Sequence, residues 1–213
     1  MLISDLDTSF GIETPHDATR VQNPRVSAVA ITRAKRQEAV AERKVEALES
    51  LIGRLDPGTA WHCITTGDID SGSYLDLLIR GYGPFEHAYI STWRIAREYI
   101  NRLERYLQQG QLGGFTLFTG DYFAARYPAD YTRVCNLADT GVGRVYRWLN
   151  HAKMFALRNP QTGWACVLET SANMTANPRT EQTVITVDAD LYRFYRHWFE
   201  DTAHERKQYR LPG

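Results

Sequence analysis

His151-Ala152-Lys153 opens the stretch, residues 151–181, on which the reading of this chain turns. It continues through an apolar hairpin to Thr170-Ser171-Ala172-Asn173 and ends Asn177-Pro178-Arg179-Thr180-Glu181. A His and a Lys two apart on a strand point to the same face, because side chains alternate with period two. The turn chemistry of Asn159-Pro160-Gln161-Thr162-Gly163 predicts that strands His151–Leu157 and Trp164–Thr170 form a hairpin. That hairpin would carry Ser171 and Asn173 back beside His151 and Lys153. A further strand, Thr183–Val187, follows Glu181. The segment thus gathers an imidazole, an ammonium, an amide, a hydroxyl and a carboxylate in one place.

Upstream the pattern alternates between helix and strand. Ala34, Ala41, Val45, Leu48, Ile52 and Leu55 recur at helical spacing, with Gly53 and Pro57 near the stop, so Thr32–Leu55 is predicted helical. Strands are expected at Ala60–Thr65, Glu86–Thr92 and Gly114–Thr119. Helices are expected at Ser73–Arg80, Arg94–Gln109, through Phe123, and around Tyr131–Ala138. Strand Val145–Leu149 then opens a β-rich part, and a final helix over Asp190–Glu205 carries Leu191, Phe194, Tyr195, Trp198 and Phe199 along one side. Strands alternating with helices predict an α/β fold with a mixed, largely parallel central sheet. Residues 1–30, with Pro15 and Pro24 and no sustained periodicity, read as a loose N-terminal arm before a domain over 31–213.

Composition narrows the class. At 213 residues the chain suits one domain with a substantial core. Lys+Arg and Asp+Glu each number 25, so binding to nucleic acid would need a local patch, not bulk charge. A modest basic excess over residues 20–56 reads as a solvated helix face. Cys63, Cys135 and Cys166 are scattered and lack metal-ligand spacing, so they are expected to be buried thiols of a reducing compartment. There is neither a leader pattern nor an apolar run of about 18 residues, and a cytoplasmic protein with no membrane anchor is expected.

The gathered groups suit one chemistry. Attack on a phosphodiester needs an anion neutralised and its oxygens held. Lys153 supplies an ammonium, Asn173 an amide donor and Ser171 a hydroxyl. Neutral His151 can attack phosphorus, and Glu181 can fix its tautomer from the far ring nitrogen. This chemistry asks for no cofactor and no metal.

These residues resemble the signature of the phospholipase D superfamily, HxK(x)4D followed by GSxN and a later Glu. His151 and Lys153 match its first pair, Ser171 and Asn173 its second, and Glu181 stands where the Glu falls. Arg158 replaces the Asp, and Thr170 replaces the Gly, bringing a Cβ close to where phosphate would approach. The resemblance implies an α/β/α sandwich and a phosphodiesterase, with His151, Lys153, Asn173 and Glu181 catalytic and Ser171 binding substrate. A single copy of the motif implies a homodimer, with His151 of each copy facing one phosphate. Cytoplasmic character favours nucleic acid over lipid as substrate. A degenerate member that binds DNA or a partner without cleaving it is the alternative, and a phospholipid hydrolase a third.

Two loops after early strands are secondary candidates. Ser91-Thr92-Trp93-Arg94 ends a strand, where open α/β sheets place ligands, so Trp93 can stack on a base and Arg94 can meet a phosphate. Gly67-Asp68-Ile69-Asp70-Ser71-Gly72-Ser73 carries two acids, and capping of the next helix is its simpler use.

Overall fold

A computed structural model describes residues 24–67, 69–176 and 178–206. The chain divides into two units, 1–40 and 41–213. The described part of the first is the beginning of helix α1 (Pro24–Ile52), so the expected N-terminal arm lies outside the described residues up to residue 23 and is helical from Pro24. Besides a π-helical turn at Ala138–Val142, the second unit holds the remaining strands and α-helices.

In chain order these are β1 (Ala60–Thr66), α2 (Ser71–Tyr82), β2 (Ala88–Ser91), α3 (Arg97–Gln108), β3 (Phe115–Gly120), α4 (Asp121–Arg126), α5 (Pro128–Leu137), β4 (Gly143–Trp148), β5 (Met154–Arg158), β6 (Ala165–Thr170), β7 (Thr180–Thr186) and α6 (Ala189–Glu205). Local chemistry sets their bounds. Gly53 at φ +66° ends α1, a conformation open to glycine at no steric cost. Asp70 caps α2 by accepting from Ser73 N at 3.0 Å, the use expected of it. Asp188 caps α6 through Leu191 N at 2.7 Å.

The seven strands form one sheet in the order β1-β7-β6-β5-β2-β3-β4. The expected α/β fold with a mixed sheet is found, but the sheet is mostly antiparallel. Parallel pairing is confined to β2–β3 and β3–β4, while β1–β7, β7–β6, β6–β5 and β5–β2 run antiparallel. Parallel neighbours need a long crossover. Helices supply it from β2 to β4, whereas β5, β6 and β7 follow one another by turns.

Sheet residues alternate between two cores. Ile90, Leu117, Val145, Phe155, Leu157, Cys166 and Leu168 face one layer with Leu48 and Ile52 of α1, Leu78 of α2, Ile100 of α3 and Val134 of α5. Their neighbours Tyr89, Phe118, Tyr146, Ala156, Ala165 and Val167 face the other, covered by Tyr192, Phe199 and Ala203 of α6. Leu191, Tyr195 and Trp198 pack at the edge of this second core, but Phe194 of the expected stripe is 63% exposed. All three cysteines are buried free thiols. No helix among the described residues is long and apolar enough to cross a membrane.

A buried ionic group ties α2 to α3. Asp76 accepts from the Arg102 guanidinium and from Tyr106 Oη at 2.6 Å. Burial outweighs the attraction of Arg102 and pushes the Asp76 carboxyl up to about 6. The folded state then holds a proton that the unfolded chain has released, in the window between about pH 4 and 6. This group's contribution to stability therefore grows as pH falls through that window. Urea denaturation at a series of pH values is expected to show that slope flattened in Asp76→Asn, whatever the offset in stability.

Candidate active site

The parallel strands β2, β3 and β4 end together, and antiparallel β5 begins at the same edge because Ser91 pairs with Met154. The end of β6 and the start of β7 adjoin them, with Glu169 opposite Met154 and Thr170 opposite Thr183. One end of the sheet thus receives Trp93, Gly120, His151, Lys153, Ser171, Asn173 and Glu181.

His151 and Lys153 lie just before β5, not on a strand as expected. The reason is local. Buried Asn150 accepts from Ala152 N at 3.1 Å and donates to Ser91 Oγ at 2.9 Å. Ser91 Oγ in turn donates to Ala152 O at 2.9 Å. Side chains have taken the backbone bonds that a neighbouring strand would have made. The two residues still meet: Lys153 Nζ lies 3.2 Å from His151 Nδ1 and donates to His151 O at 2.7 Å.

His151 is exposed, whereas Lys153 is only 9% exposed and Glu181 8%. Burial lowers the Lys153 pKa, and the negative charge of Glu181 works against that shift.

The loop after β6 supplies the remaining groups. Ser171 Oγ donates to Glu181 Oε2 and accepts from Gln182 N at 3.0 Å, so this hydroxyl holds the carboxylate in place. Asn173 Oδ1 accepts from Trp93 N at 3.2 Å, which leaves the Nδ2 end of the amide to donate. The Trp93 ring centre is 6.2 Å from that of His151. Arg94 turns elsewhere, its guanidinium 3.6 Å from the Tyr127 ring centre. Among the described residues, no three His, Cys, Asp or Glu side chains form a set able to hold a metal ion.

Neither a protein family nor a curated protein matches the chain by sequence. Solved structures match it by fold. Nuc from Salmonella typhimurium, a phospholipase D family member, superposes with a TM-score of 0.52 at 13% identity, over 72% of this chain and 99% of that one. The fold is that of the phospholipase D superfamily. A phosphatidylserine synthase from Haemophilus influenzae Rd KW20 shares this phospholipase D fold, with a TM-score of 0.51 at 14% identity over 70% of this chain and 40% of that one.

Both departures from the phospholipase D signature have structural uses. Arg158 sits at the far end of β5, about 16 Å from Lys153 at the rise of a strand, and pairs with Glu86 at 3.1 Å. It does not border the site. Thr170 Oγ1 is taken up in the turn, donating to Gln182 O at 3.0 Å, accepting from Ala172 N at 3.0 Å and lying 2.7 Å from Thr183 Oγ1.

Sequence reasoning missed three contributors. Asn150 fixes the His151 segment, Gly120 makes room for Trp93, and Tyr122 stacks on the Trp93 ring at 5.0 Å. Gly120 ends a parallel strand and Tyr122 follows it, the same signal that singled out Trp93.

Proposed function

We propose that this chain is a phospholipase D-type phosphodiesterase that cleaves nucleic acid without a metal, in a site completed by a second copy. The observation that carries this reading is the buried Lys153 ammonium 3.2 Å from an exposed imidazole, with buried Glu181 as its counter-charge. A cation held out of water, beside a nucleophile that faces it, is arranged for an anion.

In this reading Nε2 of His151 attacks phosphorus while Lys153 and Asn173 Nδ2 hold the non-bridging oxygens. The P–N bond forms, the P–O bond to the leaving oxygen breaks, and that oxygen takes a proton. Within one copy the other described histidines stand elsewhere: His62 on β1, His87 before β2, His197 and His204 on α6. In this reading the donor is His151 of a second copy, as the single copy of the motif suggests, protonated while its mate is neutral. Water then attacks the phosphohistidine, returning its proton to the donor. Three buried free thiols agree with work in the cytoplasm.

The test is cleavage of single- and double-stranded DNA in EDTA, with acid-labile phosphohistidine trapped in a quenched reaction. Metal-free cleavage with a trapped adduct is expected. Binding without cleavage would make the chain a DNA-binding relative of such enzymes, and vesicle lipid hydrolysis with intact DNA would redirect the substrate.

A further inference from the structure

We infer that an unpaired nucleobase docks on the Tyr122–Trp93 stack, so that the site selects single-stranded nucleic acid; this rests on the phosphodiesterase reading above. The stack is built, not incidental. Trp93 N is held by Asn173 Oδ1 at 3.2 Å, and Trp93 O accepts from Gly120 N at 3.3 Å. Gly120 lies so close to the indole that a Cβ there would stand 2.3 Å from Trp93 Cδ1 and 3.1 Å from Asn150 O. Asn173, one of the groups placed to hold phosphate, therefore also holds the backbone that carries the indole.

Tyr122 lies nearly parallel to that indole, with ring centres 5.0 Å apart and planes 12° apart, and is 46% exposed. Trp93 is itself 6.2 Å from the His151 ring, where phosphorus would bond. An aromatic surface beside a phosphate-binding pair matches the two halves of a nucleotide, one anionic and one planar. A lipid chain gains nothing specific from a flat ring, and two parallel rings do not enclose a quaternary ammonium as a cage does. A base inside a duplex has its faces already stacked, and extruding it costs a few kcal/mol, so the unpaired strand is favoured.

The experiment measures cleavage, and anisotropy of labelled oligonucleotides, for single strands, duplexes and single strands with abasic sites. Base–aromatic stacking of the usual strength predicts a preference of about ten-fold or more for the base-bearing single strand. Tyr122→Phe is expected to keep that preference. Tyr122→Leu, which keeps apolar bulk at a half-exposed position, is expected to bring the ratio to base-free strands near one. Cleavage indifferent to bases, with the ratio unchanged in Tyr122→Leu, would overturn the inference while leaving the phosphodiesterase reading intact. Base-dependent binding with no cleavage of any strand would do the reverse. Loss of a dimer in Tyr122→Leu, by ultracentrifugation, would assign the stack to a subunit interface and overturn it. So would loss of phosphatidylcholine vesicle binding with strand binding untouched.

Discussion

His151→Ala is expected to lower DNA cleavage by about 10⁴-fold or more and to leave binding of a single strand within a few-fold. The variant removes both the attacking nitrogen and, in the second copy, the proton donor, so both halves of the step are lost together. Its fold is expected to survive. His151 is exposed, and the bond from Lys153 Nζ goes to the backbone oxygen at 151, which Ala retains. Mixing wild-type and variant subunits separates the two roles. If each site needs an imidazole from both copies, activity follows the square of the wild-type fraction; a linear dependence, or a fully active monomer, would sink the two-copy mechanism.

The second large effect concerns Lys153 and Glu181. Lys153→Met is expected to abolish cleavage and also to destabilise the fold by about 2 kcal/mol, because it removes the attraction between a buried ammonium and a buried carboxylate. Pairing it with Glu181→Gln is expected to recover most of the stability and none of the activity. Denaturant midpoints for the two single variants and the double variant give the coupling directly. Lys153→Arg is not expected to rescue cleavage, since the larger planar guanidinium does not fit a position only 9% exposed.

Much of the architecture was legible because periodicity reports local structure. Each expected helix and strand overlaps an observed one, and Asp70 and the Asn159 turn did what their side chains suggest. Strand pairing was not legible. Alternation of β1, α2 and β2 suggests adjacent parallel neighbours, yet β1 lies at the far edge of the sheet, bonded to β7. No residue in β1 names that partner, although its exposed alternate positions, such as Ile64 at 75%, mark an edge strand.

The site divides similarly. Motif spacing brought His151 to Lys153, and the pairing of β6 with β7 brought Ser171 to Glu181. The bond that expectation placed between Glu181 and the His151 ring has a different counterpart here, for Lys153 Nζ is what stands at Nδ1, while Glu181 holds Ser171. Tertiary contacts from Asn150, Gly120 and Tyr122 depend on separate strands meeting at one edge, such as Asn150 with Ser91, 59 positions away. Nothing local encodes such meetings.

The β5–β6 turn lies at the other end of β5 from His151. Asn159 Oδ1 closes it by accepting from Gln161 N at 2.9 Å and Thr162 N at 3.2 Å. Trp164 anchors its base through Leu55 O at 3.0 Å and a stack on Tyr82. Its tip, Pro160 to Gly163, is exposed. That separation makes the tip a natural graft point: a fluorophore, a purification handle or a surface tether inserted there would leave the working end of the sheet facing outward and unencumbered.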